Sequence, residues 1–180
     1  MTAPGFAVFD TAIGHCGIAW REHVIIGSRL PEGGAARTRA RLLERFPDGT
    51  EQVPPPAVRH TIEAVTALLR GEAADLSGAV LDMSGVPPFH RRVYELARTV
   101  PPGATLTYGE IAQRLGEPGA ARAVGQALGN NPFAPIVPCH RVLAAGGRTG
   151  GFSATGGTAT KLRMLDIENA HAEAPTLFRL

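Results

Sequence analysis

Apolar positions along the chain change period several times, and each change marks an element. Phe6-Ala7-Val8-Phe9, Gly17-Ile18-Ala19-Trp20 and His23-Val24-Ile25-Ile26 are short β-prone runs. Gly14-His15 and Arg21-Glu22 lie between them, so the three read as a hairpin meander. Ala35 to Phe46 is helical in composition, with Leu42, Leu43 and Phe46 on one side, and Pro47-Asp48-Gly49 stops it. Pro54-Pro55-Pro56 breaks the chain. From Ala57 to Arg70, Val58, Ile62, Val65 and Leu69 recur at helical spacing. Ala79-Val80-Leu81 reads as a weak strand. The first 82 residues therefore read as a small α/β unit.

Ser84-Gly85-Val86-Pro87-Pro88 is the candidate boundary. A helix follows with Phe89, Val93, Leu96, Ala97 and Val100 as its apolar stripe, ended by Pro101-Pro102-Gly103. Thr107-Tyr108-Gly109-Glu110 is a capping box, a threonine N-cap with a glutamate three residues on. The helix it opens points Ile111, Ala112 and Leu115 inward, and Gly116-Glu117-Pro118-Gly119 turns the chain. A second helix, Ala120 to Leu128, closes at Gly129-Asn130-Asn131-Pro132. Two short helices across a tight glycine turn predict a helix-turn-helix, although a plain helical hairpin has the same pattern. The second helix carries Arg122 and Gln126 among Ala and Gly. Such a face suits close backbone approach in a minor groove, or tight packing on a neighbouring helix. Leu143 to Gly151 reads as a turn of hairpin or wing type. Thr158 to Asn169 reads as a last helix with Leu162, Leu165 and Ile167 inward.

Composition narrows the classes. A chain of 180 residues with 44% hydrophobic and 19% charged residues can bury a real core. No apolar run approaches the ~20 residues of a membrane span, and the N-terminus lacks a basic start with an apolar signal core. The expectation is a cytoplasmic protein with Cys16 and Cys139 as free thiols. The net charge of +2 is unevenly divided. Residues 1–82 hold 8 Arg against 10 acids, and residues 83–180 hold 9 Arg plus Lys161 against 6. The basic half permits nucleic-acid contact. His15, Cys16, His23 and His60 do not match a structural zinc pattern, so no metal and no cofactor are expected.

The candidate chemistry lies in Pro138-Cys139-His140-Arg141-Val142. A lone cysteine in an apolar run is usually an inert core residue. Here a histidine and an arginine follow it directly, and charge rarely sits beside a packed core thiol. A thiol is a strong nucleophile as thiolate, which neighbouring cations or a base favour. The proline fixes the backbone before the sulfur and removes one donor.

In order along the chain, Thr107-Tyr108-Gly109-Glu110-Ile111-Ala112, Ala120-Ala121-Arg122-Ala123-Val124-Gly125, Asn131-Pro132, Ile136-Val137-Pro138-Cys139-His140-Arg141-Val142, and Lys161 with Leu165 and Glu168 resemble the O6-alkylguanine-DNA alkyltransferases, or methylated-DNA–protein-cysteine methyltransferases. The close match covers about residues 84–169. The resemblance implies an RNase H-like α/β N-terminal domain over 1–82, with a small antiparallel sheet and helix. It implies a mainly α, winged helix-turn-helix C-terminal domain over 83–180 that binds DNA and accepts the alkyl group. Double-stranded DNA carrying O6-alkylguanine is the implied partner, of a protein monomeric in solution and away from membranes. O4-alkylthymine stays open as a second substrate.

Carried over by motif, Cys139 is the alkyl acceptor. His140 takes the thiol proton through a water, and Glu168 orients His140. Asn131 ties the helix-turn-helix to the active-site loop. Tyr108 contacts the flipped base and Arg122 fills the stack it leaves. Arg141, Val142 and Ser153 complete the substrate-binding set, with the register of Ser153 open because this chain is about two residues longer there than some members. Transfer would be irreversible and stoichiometric, because a thioether has no easy leaving path. Three alternatives remain at this point: a lesion binder without transfer, a winged-helix regulator whose cysteine senses alkylation or redox state, and a thiol hydrolase using Cys139 and His140.

Overall fold

The meander forms as the apolar runs predict, with longer strands. The computed structural model describes residues 2–147 and 157–169. β1 (Gly5–Thr11), β2 (Gly14–Arg21) and β3 (Val24–Arg29) pair antiparallel in sequence order. Gly14, His15 and Arg21, expected in turns, are strand residues. Backbone pairing Thr11↔Gly14 and Arg21↔Val24 leaves Ala12-Ile13 and Glu22-His23 as the two-residue connections. The sheet is also mixed rather than purely antiparallel. β4 (Thr50–Glu51) pairs parallel to β1 and gives the order β3-β2-β1-β4. Backbone bonds hold it, Thr50 N–H to the Pro4 carbonyl and Gln52 N–H to the Phe6 carbonyl, each at 3.0 Å. Both of its side chains are exposed, so it has no hydrophobic signature.

α1 (Ala35–Arg45) covers this sheet. Leu42 joins Phe6, Ala19 and Ile26 in a core flanked by Val8 and Phe46. Burying a leucine of this kind stabilises by about 1.5–3 kcal/mol. Leu43, expected inward, is exposed. It lies about 100° round the helix from Leu42, and the inward neighbour is Thr38, four residues before Leu42. Thr38 is fully buried because its hydroxyl donates to the His15 carbonyl at 2.9 Å. Gly17 permits the close approach: a Cβ there would meet Leu42 Cδ1 at 2.8 Å. α2 (Pro56–Leu69) starts on the third proline and buries Val58, Thr61, Val65, Leu68 and Leu69. Ile62 is only half-buried. The weak strand expected at Ala79–Leu81 does not form. Ile25 exchanges two backbone bonds with Val80 and Asp82, making an isolated bridge, and Val80 stays exposed.

The chain separates into two units. The first is Met1–Asp82 with Pro132–Ile136, and the second is Met83–Asn131 with the chain from Val137 on. In the second unit α3 (Pro88–Ala97) packs on α4 (Tyr108–Arg114) and α5 (Ala121–Gly129). α3 buries Val93, Tyr94 and Ala97, so the inward ring is Tyr94 while Phe89 and Leu96 are half-buried. The Tyr94 hydroxyl can enter the interior because it donates to the Ala127 carbonyl at 2.6 Å.

α4 begins as the capping box requires: Thr107 Oγ1 accepts from Glu110 N–H at 3.1 Å. It ends at Gly116 with φ +78. Glu117 N–H bonds the Ala112 carbonyl and Gly116 N–H the Gln113 carbonyl, the paired bonds of a Schellman motif. Val124, Ala127 and Leu128 face α5 inward, while Arg122 and Gln126, four residues apart, share its exposed side. β5 (Leu106–Thr107) pairs parallel with β6 (Val142–Leu143). This short ladder joins the start of α4 to the residues just after Cys139.

α6 (Gly157–Asn169) inverts the sequence expectation. Its buried residues are Lys161, Met164 and Glu168. Leu162 is exposed, and Leu165 and Ile167 are half-buried. Two charged residues face inward because each finds partners there. No helix among the described residues is long and apolar enough to cross a membrane.

Candidate active site

Cys139 sits on a backbone kinked twice within four residues. Pro138 has φ −82 and ψ 69, and Cys139 N–H bonds the Val137 carbonyl at 2.9 Å. That is an inverse γ-turn, and the pyrrolidine ring already favours its φ. Arg141 N–H then bonds the Pro138 carbonyl at 2.9 Å, making Cys139–Arg141 a single 3-10 turn that runs into β6. Asn131 follows α5 and donates from Nδ2 to the same Val137 carbonyl at 2.8 Å. The carbonyl next to the kink thus accepts from the Cys139 N–H and from the end of the helical pair.

The histidine and arginine after the sulfur both converge on Glu168. His140 Nε2 lies 2.7 Å from Glu168 Oε1. Arg141 grips both carboxylate oxygens, Nε to Oε2 at 3.0 Å and Nη2 to Oε1 at 2.8 Å, and its Nη1 donates to the Val100 carbonyl at 2.8 Å. All three side chains are buried. Burial alone pushes the Glu168 carboxyl up, but its bonds to His140 and the Arg141 guanidinium outweigh that and hold it at about 2. For His140, burial is the largest influence and lowers the imidazole below its ordinary value, outweighing the pull of Glu168. A neutral imidazole facing an ionised carboxylate carries its proton on Nε2. Nδ1 is then an acceptor, and it is buried with no hydrogen-bond partner among the described residues.

The thiol is protonated at rest. Burial raises Cys139, opposed by the Asn131 side chain, the Lys161 charge and the N–H groups of Cys139 and His140. The expected cations are therefore not the ones that act: the Arg141 charge is satisfied by Glu168, and His140 is neutral. The ammonium that acts on the sulfur belongs to Lys161, which is buried and donates to the Val142 carbonyl at 2.8 Å. Lys161, the single lysine among 18 basic residues, belongs to the set that carries the family resemblance, but no role at the sulfur was expected of it. Tyr94 also goes unannounced. Burial first and the Cys139 charge second push its phenol up to about 12.

Of the residues expected to act, Cys139, His140, Asn131 and Glu168 come together here. Burial and then the Cys139 charge raise the Tyr108 phenol, so its ring lies in the field of the sulfur. A Cβ at Gly125 would stand 3.4 Å from Tyr108 Cε2, so the ring lies close on α5. Arg122 is exposed and forms no ion pair among the described residues. Arg141 and Val142, expected to bind substrate, have buried side chains. Arg141 sits inside because every guanidinium nitrogen has a partner there, and Val142 because it packs in the short ladder. Ser153 lies outside the described residues. Among those residues no group of three or more His, Cys, Asp or Glu side chains could hold a metal ion.

The chain is similar to known proteins in sequence and in fold. The family described as 6-O-methylguanine DNA methyltransferase, DNA binding domain, matches residues 88–170. A methylated-DNA–protein-cysteine methyltransferase of Mycobacterium tuberculosis is 42% identical over 149 residues, 81% of this chain and 88% of that protein. The one from Mycolicibacterium paratuberculosis is 37% identical over 174 residues, 96% of this chain and 98% of its own length. Among solved structures, Mycobacterium tuberculosis OGT in complex with DNA aligns with a TM-score of 0.75 at 34% identity, over 94% of this chain and 96% of that one. The O6-methylguanine-DNA methyltransferase of Pyrococcus kodakaraensis aligns at 0.67 and 26% identity, over 92% and 98%. The chain belongs to the methylated-DNA–protein-cysteine methyltransferase family.

Proposed function

We infer that the protein repairs alkylated DNA directly, moving the alkyl group of O6-alkylguanine onto its own Cys139 in one irreversible turnover. The observation that carries this is His140: Nε2 is pinned to an ionised Glu168, leaving Nδ1 as a bare base next in sequence to a buried thiol. His140 takes the thiol proton at Nδ1 by way of a water. The sulfur, now anionic and opposite Lys161, attacks the alkyl carbon in line. The S–C bond forms, the C–O bond breaks, and the electron pair stays on the purine. The purine gains one proton to become guanine, matching the one the thiol gave up. A thioether has no easy leaving path, so each chain acts once.

The remaining assignments rest on this chemistry. Residues 1–82 form an RNase H-like domain, and 83–180 form the winged helix-turn-helix domain that docks on DNA and carries the acceptor. α4 and α5 are its helical pair, with Arg122 and Gln126 outward. The lesion must leave the stack to meet a buried sulfur, at about a few kcal/mol. Arg122 occupies the gap, Tyr108 meets the everted base, and Ser153 lines the pocket. Arg141 is a positioning residue, clamping the carboxylate that orients His140. The protein acts as a monomer in the cytoplasm, where both thiols stay reduced.

Intact-mass analysis after mixing with an O6-methylguanine duplex tests the reading. The expected result is one added methyl, mapped to Cys139, with uptake stopping at one equivalent. An unmodified chain, or continued turnover, refutes it.

A further inference from the structure

Ser28 is a buried polar residue near the end of the apolar strand β3, and both of its hydrogen-bond donors go to one short segment. Its N–H bonds the Pro132 carbonyl at 3.0 Å, its hydroxyl donates to the Ala134 carbonyl at 2.9 Å, and it bridges Phe133 in parallel register. Pro132–Ile136 therefore packs as part of the first unit. The segment has few donors of its own, because Pro132 and Pro135 lack N–H groups. Its carbonyls need donors from elsewhere: Ser28 supplies two, and Arg45 Nη1 adds a longer bond to the Pro132 carbonyl at 3.4 Å.

What lies at the two ends of this segment gives Ser28 a consequence for chemistry. Asn131 immediately precedes it and Val137 immediately follows it. These are the two residues joined by the Asn131 Nδ2 bond to the Val137 carbonyl, the same carbonyl that receives Cys139 N–H. The Asn131 side chain also favours the thiolate of Cys139. A loop of five residues between them has many conformations, and only some bring its ends to hydrogen-bond distance.

We propose that Ser28 is a positioning residue for the Cys139 thiol: by holding Pro132–Ile136 in one conformation, it keeps Asn131 in reach of Val137 and the sulfur. The role takes Cys139 as the reacting group, as above, yet it can be judged on the thiol itself. The probe is iodoacetamide, with the rate of Cys139 alkylation measured across pH on the full chain and mapped by peptide mass. Single-turnover uptake from an O6-methylguanine duplex is measured in parallel. In Ser28→Ala the Cys139 profile should move to higher pH and uptake should slow by roughly three- to tenfold, the loss expected for one hydrogen bond. Ser28→Thr keeps the hydroxyl and should restore both. Val65→Ala, in the buried face of α2, weakens the first unit away from the Ser28 hydrogen bonds and should leave both at the native level. A Ser28→Ala profile that superimposes on the native one overturns the proposal, as does a Val65→Ala shift of equal size. A native chain that takes no methyl on Cys139 would refute the transfer reading, while the iodoacetamide profiles would still decide the role of Ser28.

Discussion

Cys16 and Cys139 are both buried free thiols, and burial is the main influence raising each of them. They differ in company. Cys16 lies in β2 opposite Phe9, with the Thr11 hydroxyl 3.8 Å away and the Asp10 charge working against ionisation, and its thiol stands at about 12. Cys139 has an amide, an ammonium and two backbone N–H groups arranged for its anion. It also has next to it a histidine whose free nitrogen is a base. Desolvation keeps both sulfurs quiet at rest, but Cys16 has a single hydroxyl to stabilise the charge once it forms, where Cys139 has the larger set. Reactivity here is made by the charge-stabilising set, not by exposure.

The most severe break of this contrast is Cys139→Ala, which should abolish alkyl uptake, while Cys16→Ala should retain one equivalent. Methyl found on Cys16 by peptide mapping would reverse the assignment. Next is Glu168→Gln. It removes the carboxylate that fixes the His140 tautomer, and general-base assistance of this kind is worth roughly 10²–10⁴ in rate. Single-turnover kinetics should show a loss of at least about a hundredfold. The same variant leaves the buried Arg141 unpaired, and breaking such a pair costs about 3–5 kcal/mol in chemical denaturation. Lys161→Met keeps the aliphatic stem and deletes the charge. It should slow transfer by about tenfold, one pKa unit being tenfold in thiolate fraction. A Cys139 iodoacetamide profile unmoved by that change would remove Lys161 from the set.

The smallest effect is on pH. His140 titrates below its ordinary value of about 6.5, so transfer should hold steady down through that pH and decline only in more acid solution. Stability follows the same direction with two onsets. The neutral His140 is favoured in the fold, so its contribution begins to fall as pH drops below about 6.5. The Glu168 contribution is complete above its unfolded value of about 4.3 and is lost as pH falls through about 2. Denaturation midpoints measured against pH should therefore decrease steadily into acid. A midpoint that rises there would contradict the charge states given to both groups.

Much of this was legible in residue order alone. The capping box at Thr107, the glycine turn at Gly116 and the Pro-Cys-His-Arg-Val block all act over a few residues, where local chemistry dictates geometry. α6 was legible as a helix but not in its facing. Its leucines suggested one inward side, and the structure buries Lys161 and Glu168 instead. Nothing within α6 could reveal that, because the partners are His140, Arg141 and the Val142 carbonyl, some twenty to thirty residues away. β4 escaped for a related reason: its ladder to β1 is backbone bonding, and Glu51 pairs with Arg39, twelve residues back in α1.

The sequence by itself determined most of the elements, the family and the sulfur proposed to react, since short-range propensity and a contiguous motif encode these. Tertiary structure alone decided which cation serves that sulfur, where the Arg141 charge is neutralised, and that Ser28 braces the segment before the nucleophile. Each of these depends on Coulomb and hydrogen-bond partners that meet in space after folding, over distances in the chain that no local pattern spans.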